Sequence, residues 1–593
     1  MIRLLLVALL VAFPLFAEPP DLVVVISVDQ LRFDYVDRFA PWFTERGFKR
    51  FTREGATFPN ARYRYSTTFT GPGHASIGTG LLPAESGILG NSWFERDAPV
   101  DLARWDWYFD DIAPYRPKHI TLTPFTAEGD WWWKDGGSPM YCTYDARVSV
   151  TAGKTIGMSP ANLAGDGLAD RIKEKYPEGR VIALALKDRA SILMGGRRAD
   201  AAYWFDYRVP GFISSTYYRF NPEAFSFNAL IPGYLPASAR WTPSPYIPPE
   251  EMQRATFDPP EAWPLKNNTY GGTFPHPVPH VRAMTYTPFA HRMLLDFAQH
   301  VIATEQLGTR KGDALFVGIS STDYLGHYYG PDSMEVADSM VRLDRMLGDF
   351  LDAIERRFGK RVVVALTSDH GVQPNPEIVK LRDPHADAGR LDVRTPDAKA
   401  RFISDLPPAR VEIERALAKK LALRFDERAP LQHALVYFFE EPGLWLNWKR
   451  IDALGLDGER VRIALRDVLR AMKHHGIDDV WTSTEMLTPN PHASRVEELM
   501  RASFRSDRSG DVLIALRPGW MWHWGSNSTT HGQPVENDMR VPLMLWGSGI
   551  EPGVYDVESS PLDLARTLGA LMDVDAGGRT SRVLPCVEGR RHH

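Results

Sequence analysis

Six short, largely apolar runs punctuate the chain: Leu22–Val28, Val181–Leu186, Ala314–Ile319, Val362–Leu366, Val512–Leu516 and Val541–Trp546. Most are rich in β-branched residues, and most are followed by a loop carrying acidic, basic or hydroxyl side chains. Continuous apolar runs of this length predict strands buried on both faces. Between them lie stretches with apolar residues at helical spacing, as in Ser339–Arg357 and Pro561–Met572. Strand and helix patterns in this order predict an α/β fold, a mostly parallel central sheet flanked by helices on both faces. In such sheets ligands sit beyond the carboxyl ends of the strands, so the loops after the runs are where chemistry is expected.

The stretches at about 93–180, 195–310 and 375–505 separate these runs and read as insertions on one catalytic domain spanning 18–593. They are rich in Pro, Trp, Tyr and Gly, or amphipathic and charged. Within the last, Val411–Phe425 and Gly458–Met472 predict surface helices with solvated charged faces. No internal repeat or low-complexity tract interrupts the pattern.

The chain opens differently. Met1-Ile2-Arg3 precedes an apolar run from Leu4 to Phe16, and Ala17 stands before the break Glu18-Pro19-Pro20. This is the pattern of a signal peptide over residues 1–17, implying a periplasmic or secreted protein. The run is shorter than the roughly 20 residues that span a bilayer, and no later segment reaches that length, so no stable membrane anchor is expected. The two cysteines, Cys142 and Cys586, have no metal-site spacing to another cysteine, and the sequence leaves open whether they form a disulfide. A net charge of -5 spread over 593 residues offers no broad basic face, which argues against a nucleic acid polymer as partner.

The chemistry-bearing residues cluster where the strand pattern ends. Asp29 follows Leu22–Val28. Such an aspartate is a candidate ligand or a helix cap. Thr70 precedes Gly71-Pro72, where a proline can open a helix. Backbone N–H groups at that helix start would favour an alkoxide and a bound phosphoryl group; the alternative is that Thr70 only caps the helix. Asp323 and His327, four residues apart after Ala314–Ile319, share one face if that stretch is helical. Asp369 and His370 follow Val362–Leu366, and His531 lies in a Gly-containing turn before Val541–Trp546. Three aspartates and three histidines at the ends of separate expected strands form an oxygen and nitrogen donor set suited to zinc.

The order Asp29, Thr70, Asp323, His327, Asp369-His370 and His531 resembles the alkaline phosphatase superfamily. Thr70-Gly-Pro-Gly-His74, followed by Gly87-Ile-Leu-Gly-Asn91-Ser-Trp93, is similar to its phosphate-irrepressible group, which is related to the type I phosphodiesterases and nucleotide pyrophosphatases. The resemblance implies two zinc ions. Asp323, His327 and His531 would hold one; Asp29, Asp369 and His370 would hold the other, with Thr70 as a further ligand and as the nucleophile that becomes phosphorylated. It also implies that Asn91, Lys187 and Arg189 contact the phosphate oxygens. Lys187 and Arg189 suit a monoester dianion, because a diester substituent would occupy the space they claim. The substrates implied are small-molecule phosphate monoesters; the oligomeric state is not implied.

Two other classes share features with this pattern. A phosphodiesterase or nucleotide pyrophosphatase would use the same metal site and threonine. A non-catalytic metal- or phosphate-binding protein would be expected to lack a ligand or the nucleophile, and every position is filled here. A sulfatase would need a Cys or Ser in a Cys/Ser-x-Pro-x-Arg context, which Thr70-Gly-Pro-Gly-His74 does not supply. Gly71 departs from the larger residue expected after the nucleophile in many relatives.

Overall fold

The computed structural model describes residues 19–112, 136–153, 156–396, 400–523, 525 and 527–587. The expected signal peptide, 1–17, lies outside the described residues. Among the described residues, nine strands form the central sheet. In chain order they are β1 (Leu22–Val28), β2 (Ala56–Thr57), β3 (Val181–Ala185), β4 (Ala201–Asp206), β5 (Gly211–Ile213), β6 (Ala314–Ile319), β7 (Val362–Thr367), β8 (Leu543–Gly547) and β9 (Gly553–Val554). Their spatial order is β9-β2-β8-β7-β1-β6-β3-β4-β5. The middle of the sheet, β7-β1-β6-β3-β4, is parallel throughout. Antiparallel strands close it on both sides, β8 against β7 and β5 against β4.

β1 shows why the runs do not alternate between apolar and polar. Leu22, Val24, Ile26 and Val28 point into one core, and Val23 and Val25 into the other. Both sets are buried because helices cover both faces. Six helices are needed to place the site: α1 (Thr70–Thr79), α2 (Asp188–Gly195), α3 (Phe289–Thr304), α4 (Ser321–Tyr329), α5 (Met334–Phe358) and α6 (Asp563–Leu571). α3 and α5 supply Leu294, Phe297, Leu347 and Phe350 to one core. α1, α2 and α6 supply Ala75, Ile77, Ile192, Leu193 and Leu564 to the other. Of the two helical patterns read from the sequence, Ser339–Arg357 falls within α5, and Pro561–Met572 overruns α6 at each end.

One expected strand of the main sheet lies elsewhere. Val512–Leu516 is a strand, but it belongs to a separate four-stranded antiparallel sheet, ordered Val436–Glu440, Gly443–Leu446, Val512–Leu516, Ile477–Thr482. Val512, Ile514 and Leu516 face one small core, and Leu513 and Ala515 face another. Burial on both faces makes the run as apolar as a strand of the main sheet. The surface helices expected nearby are observed as Pro408–Lys420 and Gly458–Ala471, each burying a single apolar stripe such as Val461, Leu465, Val468 and Leu469.

Cys142 and Cys586 are both buried and are not bridged to each other. Among the described residues, no helix is long and apolar enough to cross a membrane.

Candidate active site

The carboxyl ends of β7, β1, β6 and β3 lie side by side, and each delivers a polar residue to one place. Asp29 follows β1 directly, Lys187 stands two positions beyond β3, Asp323 is in the first turn of α4 after β6, and Asp369-His370 follow β7. Thr70 opens α1, and His531 arrives from the loop before β8. Asp29, Asp369 and His370 are fully buried, whereas Asn91, Arg189, Tyr324 and His327 are partly exposed, so the site opens toward the latter group.

Two groups of donor atoms form. Asp29, Asp369 and His370 place theirs within 4.8 Å of one another, and so do Asp323, His370 and His531. His370 Nε2 is 3.2 Å from Asp369 Oδ2 and 3.5 Å from Asp29 Oδ1. His327 Nε2 lies 3.2 Å from Asp323 Oδ1, and His531 Nε2 lies 3.5 Å from the same oxygen. The imidazoles of His370 and His531 stack at 3.5 Å between centroids, which brings the two groups together.

Backbone carbonyls decide how these histidines present themselves. Nδ1 of His327 bonds Thr529 O at 2.8 Å, Nδ1 of His370 bonds Gly371 O at 2.9 Å, and Nδ1 of His531 bonds Thr68 O at 2.8 Å. A carbonyl only accepts, so each Nδ1 carries a proton and each ring turns its Nε2 toward the aspartates. The electrostatics is unbalanced without further positive charge. Burial raises the Asp29 carboxyl to about 6, with Lys187 pulling it down and Asp323 pushing it up. Burial and the Asp29 carboxylate hold Asp369 well above the usual range. Burial opposes ionisation of Asp323 too, but His327 and Lys187 outweigh it and keep that group well below the usual value. Burial lowers His531 to about 4.

Oδ1 of Asp29, Oδ2 of Asp369 and Nε2 of His370 are buried without a hydrogen bond. Buried polar atoms are seldom left so, and three of them on one carboxylate and imidazole cluster fit divalent cations.

Lys187 is buried and is the ammonium nearest these carboxylates. Its Nζ is 2.8 Å from Asp29 Oδ2, 2.5 Å from Asp323 Oδ2 and 3.3 Å from Thr70 Oγ1. Burial works against its charge, but Asp29 and Asp323 outweigh it and raise its pKa above the ordinary lysine value. Thr70 sits at the positive end of a ten-residue helix. Gly71 N–H donates to Asn91 Oδ1 at 2.8 Å, tying Asn91 to that helix start. Gly73 lets α1 approach closely, because a Cβ there would overlap the Asp369 carbonyl. Arg189 Nη1 donates to Tyr141 Oη at 3.1 Å, and Tyr141 Oη in turn donates to Asp188 Oδ1 at 2.8 Å.

All ten residues singled out in the sequence therefore meet in one place. Sequence reasoning missed Gln30, His74 and Tyr141. Gln30 N–H donates to Asp369 Oδ1 at 3.1 Å and its side-chain Nε2 to Asp323 Oδ1 at 2.7 Å. It does so with φ at 63°, a left-handed conformation that no local pattern announces. A Cβ at Gly326 of α4 would collide with its Oε1. His74 Nδ1 bonds Thr70 O at 2.8 Å, one helical turn back, and burial lowers this histidine to about 3, so it is neutral. Its place four residues after Thr70 was the available signal.

A mostly parallel sheet with carboxylates, imidazoles and a helix-borne threonine at its strand ends defines the class of alkaline phosphatase-like enzymes. Residues 23–536 match the type I phosphodiesterase / nucleotide pyrophosphatase family, and the chain belongs to it. Alkaline phosphatase PhoK of a Sphingomonas sp is 29% identical over 572 residues, covering 94% of this chain and 89% of that protein. Alkaline phosphatase PafA of Elizabethkingia meningoseptica is 28% identical over 592 residues, covering 96% and 95%. The crystal structure of wild-type alkaline phosphatase PafA superposes with a TM-score of 0.77 at 26% identity, covering 96% of this chain and 99% of that one.

Proposed function

We propose that the protein is an exported phosphomonoesterase that works through a phosphothreonine at Thr70. The reading rests above all on the 3.3 Å approach of Lys187 Nζ to Thr70 Oγ1 at a helix start ringed by aspartates and histidines. Two zinc ions would be held by Asp29, Asp369 and His370 and by Asp323, His327 and His531, and when bound they supply Lewis-acid stabilisation of the attacking and leaving oxygens. Thr70, as its alkoxide, attacks phosphorus in line. The bond to the ester oxygen breaks, the alkoxide departs and takes a proton from water, and phosphorus is left on Oγ1. Water then cleaves the phosphothreonine, returning the hydroxyl and releasing phosphate, with net retention at phosphorus. Lys187 and Arg189 bind the remaining phosphate oxygens, together with the Asn91 amide. A monoester dianion presents one more charged oxygen to these cations than a diester does. The leader expected over residues 1–17 would carry the chain to the periplasm or beyond.

Membership in a family named for phosphodiesterases favours a second reading, in which the same residues act on diesters. Comparing kcat/KM for a monoester and a diester with the same aryl leaving group, at pH near 8 with zinc supplied, decides between them. A monoester preference of about a thousandfold, equivalent to ~4 kcal/mol, supports the first. A diester preference overturns it and leaves Thr70 and the metal-binding groups in place.

A further inference from the structure

Beyond Lys187 the site continues as a wall of tyrosine rings. Tyr324, the residue after Asp323 on α4, has its ring centroid 5.2 Å from Lys187 Nζ. The ring of Tyr286 lies 5.0 Å from that of Tyr324 and 4.3 Å from that of Tyr328, and Tyr270 follows 5.5 Å from Tyr286. Tyr328 is buried, but Tyr324, Tyr286 and Tyr270 are only partly so, at the rim of the main core. The partly exposed Tyr324 therefore stands beside Lys187 at the edge of the site, with Tyr286 packed against it.

The wall is held rigidly. Tyr270 and Tyr286 belong to the 195–310 segment, which is tied to the sheet domain beneath them. Asn267 N–H donates to Tyr328 O at 2.8 Å. The buried Lys266 Nζ pairs with Asp258 at 2.6 Å and with Glu335, in the first turn of α5, at 2.8 Å. Rings fixed before a ligand arrives bind it without an ordering cost.

Resting on the phosphomonoesterase reading, we infer that Tyr324 and Tyr286 form the leaving-group subsite and that the favoured substrates are esters carrying a planar aromatic ring. The phosphoryl group would lie against Thr70 and Lys187. A ring on the ester oxygen then comes within reach of Tyr324 and Tyr286, whose edges and faces suit offset or edge-on aromatic contact. One such contact is worth roughly two- to tenfold in binding.

The test measures kcat/KM for phenyl phosphate and for a primary alkyl phosphate in the wild type, Tyr286→Leu and Tyr286→Phe. Intrinsic leaving-group reactivity cancels when the phenyl-to-alkyl ratio is compared between enzymes. Tyr286→Leu is expected to lower that ratio about tenfold, and Tyr286→Phe, which keeps the ring, to preserve it. Tyr270→Leu, further out on the wall, should lower it less, and serves if Tyr286→Leu does not fold. A ratio within about twofold of wild type in the leucine variants of an active enzyme overturns the subsite alone. A wild type that hydrolyses neither ester overturns the phosphomonoesterase reading and the subsite with it.

Discussion

Gln30 donates its side-chain amide to Asp323 Oδ1 at 2.7 Å while its own N–H holds Asp369 Oδ1 at 3.1 Å. One residue thus spaces two carboxylates that reach the site from different strands. Its left-handed backbone costs on the order of 1–3 kcal/mol, which the surrounding structure offsets. Replacing it with leucine should free Asp323 to turn and should weaken divalent-metal binding about 10- to 100-fold, read by competition with a chelating dye. Unchanged affinity would show that the carboxylates are held without it.

Thr70→Ala removes the proposed nucleophile but none of the aspartates or histidines. The variant is expected to retain its metal, to lose several orders of magnitude in kcat, and to show no phosphorylated protein by mass spectrometry after acid quenching. Near-normal turnover would sink the nucleophile assignment.

The double variant Lys187→Ala, Arg189→Ala should depress monoester hydrolysis far more than diester hydrolysis, measured with esters of one aryl alcohol. Equal losses would mean that these cations serve the fold, as the close pairing of Lys187 with Asp29 and Asp323 would then explain.

His291 offers a pH prediction away from the site. It is buried on α3, bonds Ser339 Oγ through Nε2 at 2.9 Å, and burial lowers it from 6.5 to about 3. Below pH 6.5 the unfolded chain binds a proton that the folded chain refuses. Stability is therefore lost as pH falls from 6.5 toward 3, by at most about 1.4 kcal/mol per unit from this residue. His291→Gln should lose less urea stability than the wild type between pH 7.5 and 5. Parallel losses in the two proteins would assign the acid sensitivity elsewhere.

Much of this was legible in the sequence because burial on both faces leaves a plain mark. Leu22–Val28 and Val362–Leu366 could be little else than interior strands, and Asp29 and Asp369 stand where such strands end. The same rule misplaced Val512–Leu516, since a run buried on both faces says nothing about which sheet buries it. His531 was legible only in company with the other donors. The conformation of Gln30 was not legible, because a positive φ at a non-glycine residue is enforced by distant neighbours, here Asp323, Asp369 and Gly326. Nor was the stacking of His370 on His531, which depends on two loops more than a hundred residues apart.

The donors are gathered from nearly the whole length of the chain, from Asp29 to His531, and His531 is pinned to Thr68, two residues before the reactive hydroxyl. A growing polypeptide therefore lacks the full donor set until residue 531 has been added. On the proposed two-metal reading, loading with metal becomes a late event in biosynthesis, and hydrolytic competence waits for it.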